Sequence, residues 1–145
     1  MTDVDEIFNS TKNQLIALEA LVGVHLLVSF IFGIISSRVP NSYTLVNRSW
    51  SVVSLIVIVL SLLLASNIYV KIIKDSPDKK LRDIFISIIA LLALHALVSV
   101  ISLGFAFGSS RSITLGYVLS ISVLITVGIL LIVLNTNNDI MSQMT

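Results

Sequence analysis

Four apolar runs, each near the length of about 20 residues that crosses roughly 30 Å of hydrocarbon, dominate this chain. They cover about residues 15–36, 50–70, 84–107 and 113–134. A backbone inside a bilayer must satisfy its own hydrogen bonds, so only helices and closed barrels can span it. Barrel strands need only about 10 residues and alternate in polarity. These runs are longer and uniformly apolar, so they predict an all-α membrane protein with four transmembrane helices in a bundle. Composition agrees: 56% of residues are hydrophobic and only 12% charged, against about 25% charged in ordinary soluble domains. At 145 residues the chain reads as a single transmembrane domain, residues 1–145.

Between the runs lie polar connections. Val39-Pro40-Asn41 is a helix stop and turn. Ser76-Pro77-Asp78 marks a second turn, where Ser76 or Asp78 suits a helix cap. Gly108 to Ser112 forms a short link. Residues 1–14 read as a polar tail or an interfacial helix start, and residues 135–145 as a disordered, asparagine-rich tail. Trp50, Tyr69 and Tyr117 fall where interfacial aromatic residues are expected.

Asp3, Asp5 and Glu6 precede the first run, unlike the positive start of a signal peptide, so that run is expected to be retained. No lipidation motif is evident. The side holding the N-terminus and the central loop carries Lys12, Lys71, Lys74, Lys79, Lys80 and Arg82, and the other side Arg38, Arg48 and Arg111. This imbalance favours a cytoplasmic membrane protein with both termini in the cytoplasm. The charged central loop reads mainly as a solvated, topology-setting segment, with attraction to anionic lipid as a secondary use. A net charge of +1 gives no argument for nucleic-acid binding. With no cysteine, the chain has no disulfide, thiolate metal site, iron–sulfur cluster or cysteine nucleophile.

The two histidines carry most of the functional signal. His25 and His95 each lie mid-run, and each is followed four residues later by a serine, Ser29 or Ser99, on the same helical face. Shifting the sequence by 70 residues aligns the two segments, with seven identities in the 14 positions from Ile16 to Ser29. Both segments end in Ser-Ser-Arg, at Ser36 to Arg38 and Ser109 to Arg111. The chain therefore reads as two tandem helical-hairpin repeats, residues 1–70 and 71–145. Parallel repeats place both histidines at one depth near the bilayer centre, on diagonal helices, facing each other across the bundle axis.

An ionisable residue inside a membrane helix is a functional-site hypothesis by default. The sharpest one here is a single b-type haem, with His25 and His95 as axial ligands of the iron. Ser29 and Ser99 would orient the rings, or back-bond to their own helix. Phe32, seven residues after His25, lies on its face, and Gly104 and Gly108 could relieve crowding at the macrocycle edge. In architecture the arrangement is similar to membrane b-type cytochromes, whose histidine pairs on diagonal helices of a four-helix bundle hold haem. This resemblance implies a small subunit of an electron-transfer or respiratory assembly, working with other membrane subunits and a quinone or other redox partner. One departure is that Arg38 lies 13 residues from His25, about 20 Å along a helix, which is far for a propionate partner. The competing reading has both histidines as hydrogen-bonded packing residues in a cofactor-free accessory subunit of a larger membrane complex. Two nitrogen ligands alone leave a zinc site incomplete.

Glu19 is the remaining candidate, about 9 Å before His25 along a helix and unmatched in the repeat, where Ile89 aligns with it. It reads as a proton site in a small transporter, or as an interfacial carboxylate snorkelling or paired with Lys12. Very small four-helix transporters that resemble this chain in size carry such a glutamate, with shorter loops. The serines within the runs, among them Ser51, Ser54 and Ser122, read as small packing contacts. No base–nucleophile–orienter set, phosphate loop or carboxylate pair is visible.

Overall fold

The computed structural model describes residues 2–38, 43–75, 78–108 and 113–143. Four helices follow one another: α1 (Thr2–Arg38), α2 (Tyr43–Ile68), α3 (Lys79–Phe107) and α4 (Ile113–Gln143). Each, α2 together with the turn Tyr69–Ile73 that follows it, contains a stretch long and apolar enough to cross a membrane, at Lys12–Ile35, Leu45–Ile73, Lys79–Phe107 and Ser120–Asp139. Each helix packs along its neighbour in sequence, and α4 closes the ring against α1. The pairs α1/α3 and α2/α4 are therefore diagonal.

The helices outrun the expected bounds. α1 starts at Thr2 rather than near residue 15, and α4 continues to Gln143 through the stretch expected to be a disordered tail. Polar residues end an apolar run without ending a helix, because helix breaking needs glycine, proline or a cap that competes for backbone groups. Thr136 and Asn137, past the apolar run, are buried. The Asn137 amide donates to the Leu15 carbonyl at 3.1 Å and to Glu19 Oε1 at 2.7 Å, which ties the end of α4 to α1.

α2 ends in a π-helical turn, Tyr69–Ile73, closed by a bond from Lys74 N–H to the Tyr69 carbonyl at 2.8 Å. Ile68 and Ile73 are both buried. In a regular helix two residues five apart point in different directions, and the wider turn brings Ile73 back to the core. Asp78 caps α3 by accepting from Leu81 N–H at 3.2 Å. Ser76 and the Val39-Pro40-Asn41 turn lie outside the described residues.

The outside is apolar and meets lipid: Leu27, Phe30, Leu63, Leu97 and Leu124 are all exposed. The interior is divided along the axis. The half near the chain termini is mainly apolar, built from Leu15, Leu18, Val22, Ile58, Ile68, Phe85, Ile88, Leu92, Ile129 and Val133. The opposite half is lined by small polar side chains, with His25 and His95 at the junction. Buried positions recur between the hairpins. Leu15, Leu18, Val22, His25 and Ser29 on α1 return 70 residues later as Phe85, Ile88, Leu92, His95 and Ser99 on α3. Ser54, Ile58, Ser61, Ala65 and Ile68 on α2 return 68 residues later as Ser122, Thr126, Ile129, Val133 and Thr136 on α4.

Candidate functional site

Helical spacing turns His25, Ser29 and Val22 to one face of α1, and His95, Ser99 and Leu92 to one face of α3. Those faces meet across the axis. The two imidazole rings lie edge to face, with centroids 4.8 Å apart and planes at 87°. Both rings are buried. The expected common depth and diagonal approach are present.

Hydroxyls on other helices hold the rings. His25 Nδ1 lies 3.0 Å from Thr126 Oγ1 on α4, and its Nε2 lies 2.7 Å from Ser54 Oγ on α2. His95 Nε2 bonds Ser122 Oγ on α4 at 2.5 Å. Ser54 Oγ is 3.3 Å from Ser99 Oγ on α3. One cluster thus joins all four helices. Each histidine bonds a serine on the second helix of its own hairpin, His25 with Ser54 and His95 with Ser122.

Proton accounting sets the direction of the chain. Thr126 donates its only hydroxyl hydrogen to the Ser122 carbonyl at 2.7 Å, so it can only accept from His25. His25 therefore carries its hydrogen on Nδ1, and Nε2 accepts from Ser54. Ser54 then has no hydrogen left, and Ser99 must donate to it. The order is Ser99 to Ser54 to His25 to Thr126 to the α4 backbone. His95 is less well served: its Nδ1 is buried with no partner among the described residues.

Further along the polar half, Trp50 Nε1 donates to Ser29 Oγ at 3.0 Å, and Ser51 and Ser102 face each other at 3.1 Å. Trp50 is only 1% exposed. This corrects the expectation of an interfacial tryptophan: the indole N–H finds its acceptor inside the bundle, and the ring is buried with it. Arg48 closes this end by donating from Nε to the Ala106 carbonyl at 3.0 Å, with its guanidinium 5.1 Å from the Phe107 ring centre.

Ser29 thus serves Trp50 rather than a histidine ring, and Ser99 reaches His25 only through Ser54. Phe32 is half-buried. Gly104 on α3 and Gly108, the residue that caps its end, are both exposed. Arg38 is exposed, and Arg111 lies outside the described residues. Glu19 is half-buried and accepts from Asn137, while Lys12 is exposed. For one haem iron to take both rings as axial ligands, a porphyrin must lie between them. In this packing the rings touch and both Nε2 atoms hold hydroxyl partners, so the residues as arranged do not fit the group. Binding would require α1 and α3 to move apart.

Ser54, Ser122 and Thr126 are the partners that sequence reasoning did not assign to the histidines. The available signal was weak: hydroxyl residues on the second helix of each hairpin, at a depth that only packing defines. Among the described residues, no three or more His, Asp or Glu side chains gather as a metal-binding group. Compared with known proteins, the chain matches no family model, no curated protein and no solved structure.

Proposed function

We propose that this chain is a cofactor-free accessory subunit of a larger membrane assembly, with His25 and His95 as the centre of an internal latch that sets helix register. The observation behind this reading is that three of the four ring nitrogens already bond hydroxyls from other helices. Helices in lipid gain little from burying apolar surface against each other, so close packing and interhelical hydrogen bonds specify the bundle. A network of two histidines, three serines and a threonine gives one register in which its bonds can form. In this reading Glu19 and Asn137 clamp the end of the bundle near the termini. That end faces the cytoplasm, in line with the lysine and arginine imbalance.

A second reading, a b-haem subunit passing electrons between a quinone or redox partner and a larger complex, rests on the diagonal histidine pair at one depth and requires α1 and α3 to move apart. Purification from the native membrane separates the two. The accessory reading expects a flat reduced-minus-oxidised visible spectrum, and a chain that migrates with partner subunits in mild detergent and loses stability when stripped of them. Sharp Soret and α bands that vanish in His25→Ala and His95→Ala would replace it with the haem reading. A colourless chain that is stable and monodisperse alone would refute both.

A further inference from the structure

Between α3 and α4, at the end near the chain termini, the surface of the bundle carries an open cavity of about 900 Å³. This lies in the range of about 300–1,000 Å³ typical of ligand-holding clefts. Its lining is graded. Lys79 and Lys80, the first residues of α3 and of its membrane span, stand at the rim. Ile84, Leu131 and Ile132 form the walls below. Ile84 is five residues inside the span, about 7 Å deeper. Asn135 lies in the lining between rim and wall on α4, Ser87 lies three residues beyond Ile84 on α3, and Asp83 is the one acidic residue there. The first turn of α3 carries no acidic side chain, so only the Asp78 cap offsets its positive end.

We infer that this cavity binds an anionic phospholipid, its phosphate headgroup at Lys79 and Lys80 and its acyl chain along Ile84, Leu131 and Ile132. Two lysines outweigh Asp83 in the lining, and the Asp78 carboxylate is engaged as the cap of α3. Basic pockets between helices at the membrane surface favour such headgroups. An inorganic phosphate would leave the aliphatic walls unfilled, and a neutral amphiphile would leave the lysines without a counter-charge. Asn135 is exposed, and its amide can donate to an ester carbonyl.

The test is native mass spectrometry of the full chain in detergent, with phosphatidylglycerol and phosphatidylcholine offered at equal concentration. The expected result is retention of phosphatidylglycerol over phosphatidylcholine. Lys79→Gln with Lys80→Gln should reduce that preference about thirtyfold, from the attraction of each lysine for an anionic headgroup. Lys71→Gln with Lys74→Gln, outside the cavity, should leave it intact. Leu131→Trp, at a lipid-facing position where the larger ring can be tolerated, should lower retention of both lipids by filling the groove. Unchanged far-UV circular dichroism verifies that each variant is folded. Equal retention of the two lipids overturns the proposal. So does an equal loss in both lysine variants, which would mean diffuse surface attraction. Displacement of the lipid by inorganic phosphate alone would also overturn it, leaving a headgroup-only anion site.

Discussion

The ring of His25 meets the ring of His95 edge to face, 4.8 Å between centroids, yet the two are held unequally. His25 bonds hydroxyls through both nitrogens, to α2 and to α4, while His95 bonds one and leaves Nδ1 buried without a partner among the described residues. Near-symmetric residues thus carry unequal shares of the latch.

That inequality predicts unequal mutants. His25→Ala should destabilise the bundle by about 1 kcal/mol more than His95→Ala, since it removes one more interhelical hydrogen bond, worth about 0.6 kcal/mol on average and up to about 1.7. Both lose packing volume as well. Unfolding of the two variants in detergent micelles or bicelles measures the difference. Equal losses would mean that volume alone matters at this site.

Trp50 is the only tryptophan, so its fluorescence reports one place. Buried against Ser29, it should emit toward the blue and resist quenching by iodide or acrylamide. Trp50→Phe should cost about 1 kcal/mol through the lost N–H bond. Red-shifted, readily quenched emission would put the ring at the membrane surface and break the polar half of the core.

The absence of cysteine makes disulfide trapping clean. Ser51→Cys with Ser102→Cys, and separately Ser54→Cys with Ser99→Cys, should form intramolecular bonds on mild oxidation, since the paired oxygens lie 3.1 and 3.3 Å apart. Side chains this close are within reach of the roughly 3.5–4.5 Å Cβ separation a disulfide needs. Products linking only different molecules, seen on non-reducing gels, would contradict the α2–α3 register.

Asn137 holds the last turns of α4 to α1. Asn137→Leu removes its bonds to Leu15 and Glu19 and should cost about 1 kcal/mol. Amide hydrogen exchange beyond Leu134 should then quicken, with residues around His25 and His95 unaffected. Unchanged exchange at this end would mean that α4 is held there by other contacts. Glu19→Gln, which keeps an acceptor, should be milder than Glu19→Ala.

The four membrane helices are legible in the sequence, because length and uniform apolarity permit no other spanning structure. The sequence also shows which face of α1 and α3 turns inward, since the helical period places His25 with Ser29 and His95 with Ser99. The matching spacing of the two histidines carried their common depth and diagonal placement. Helix ends were less legible: polar residues in α1 and α4 mark the end of the membrane span but not of the helix, and the contact from Asn137 to Leu15 that extends α4 joins residues 122 apart. Trp50 was misplaced for a related reason, since a tryptophan at the start of an apolar run suits the interface until an acceptor such as Ser29 draws it inside. The partners of the rings follow from packing alone. A helical period fixes direction around one axis, whereas pairing His25 with Ser54 and Thr126 depends on the relative depth and rotation of three helices. The hydroxyls that bond the histidines look, in sequence, like any other small residues in a membrane helix, and their chemistry appears only when packing brings them to the same level.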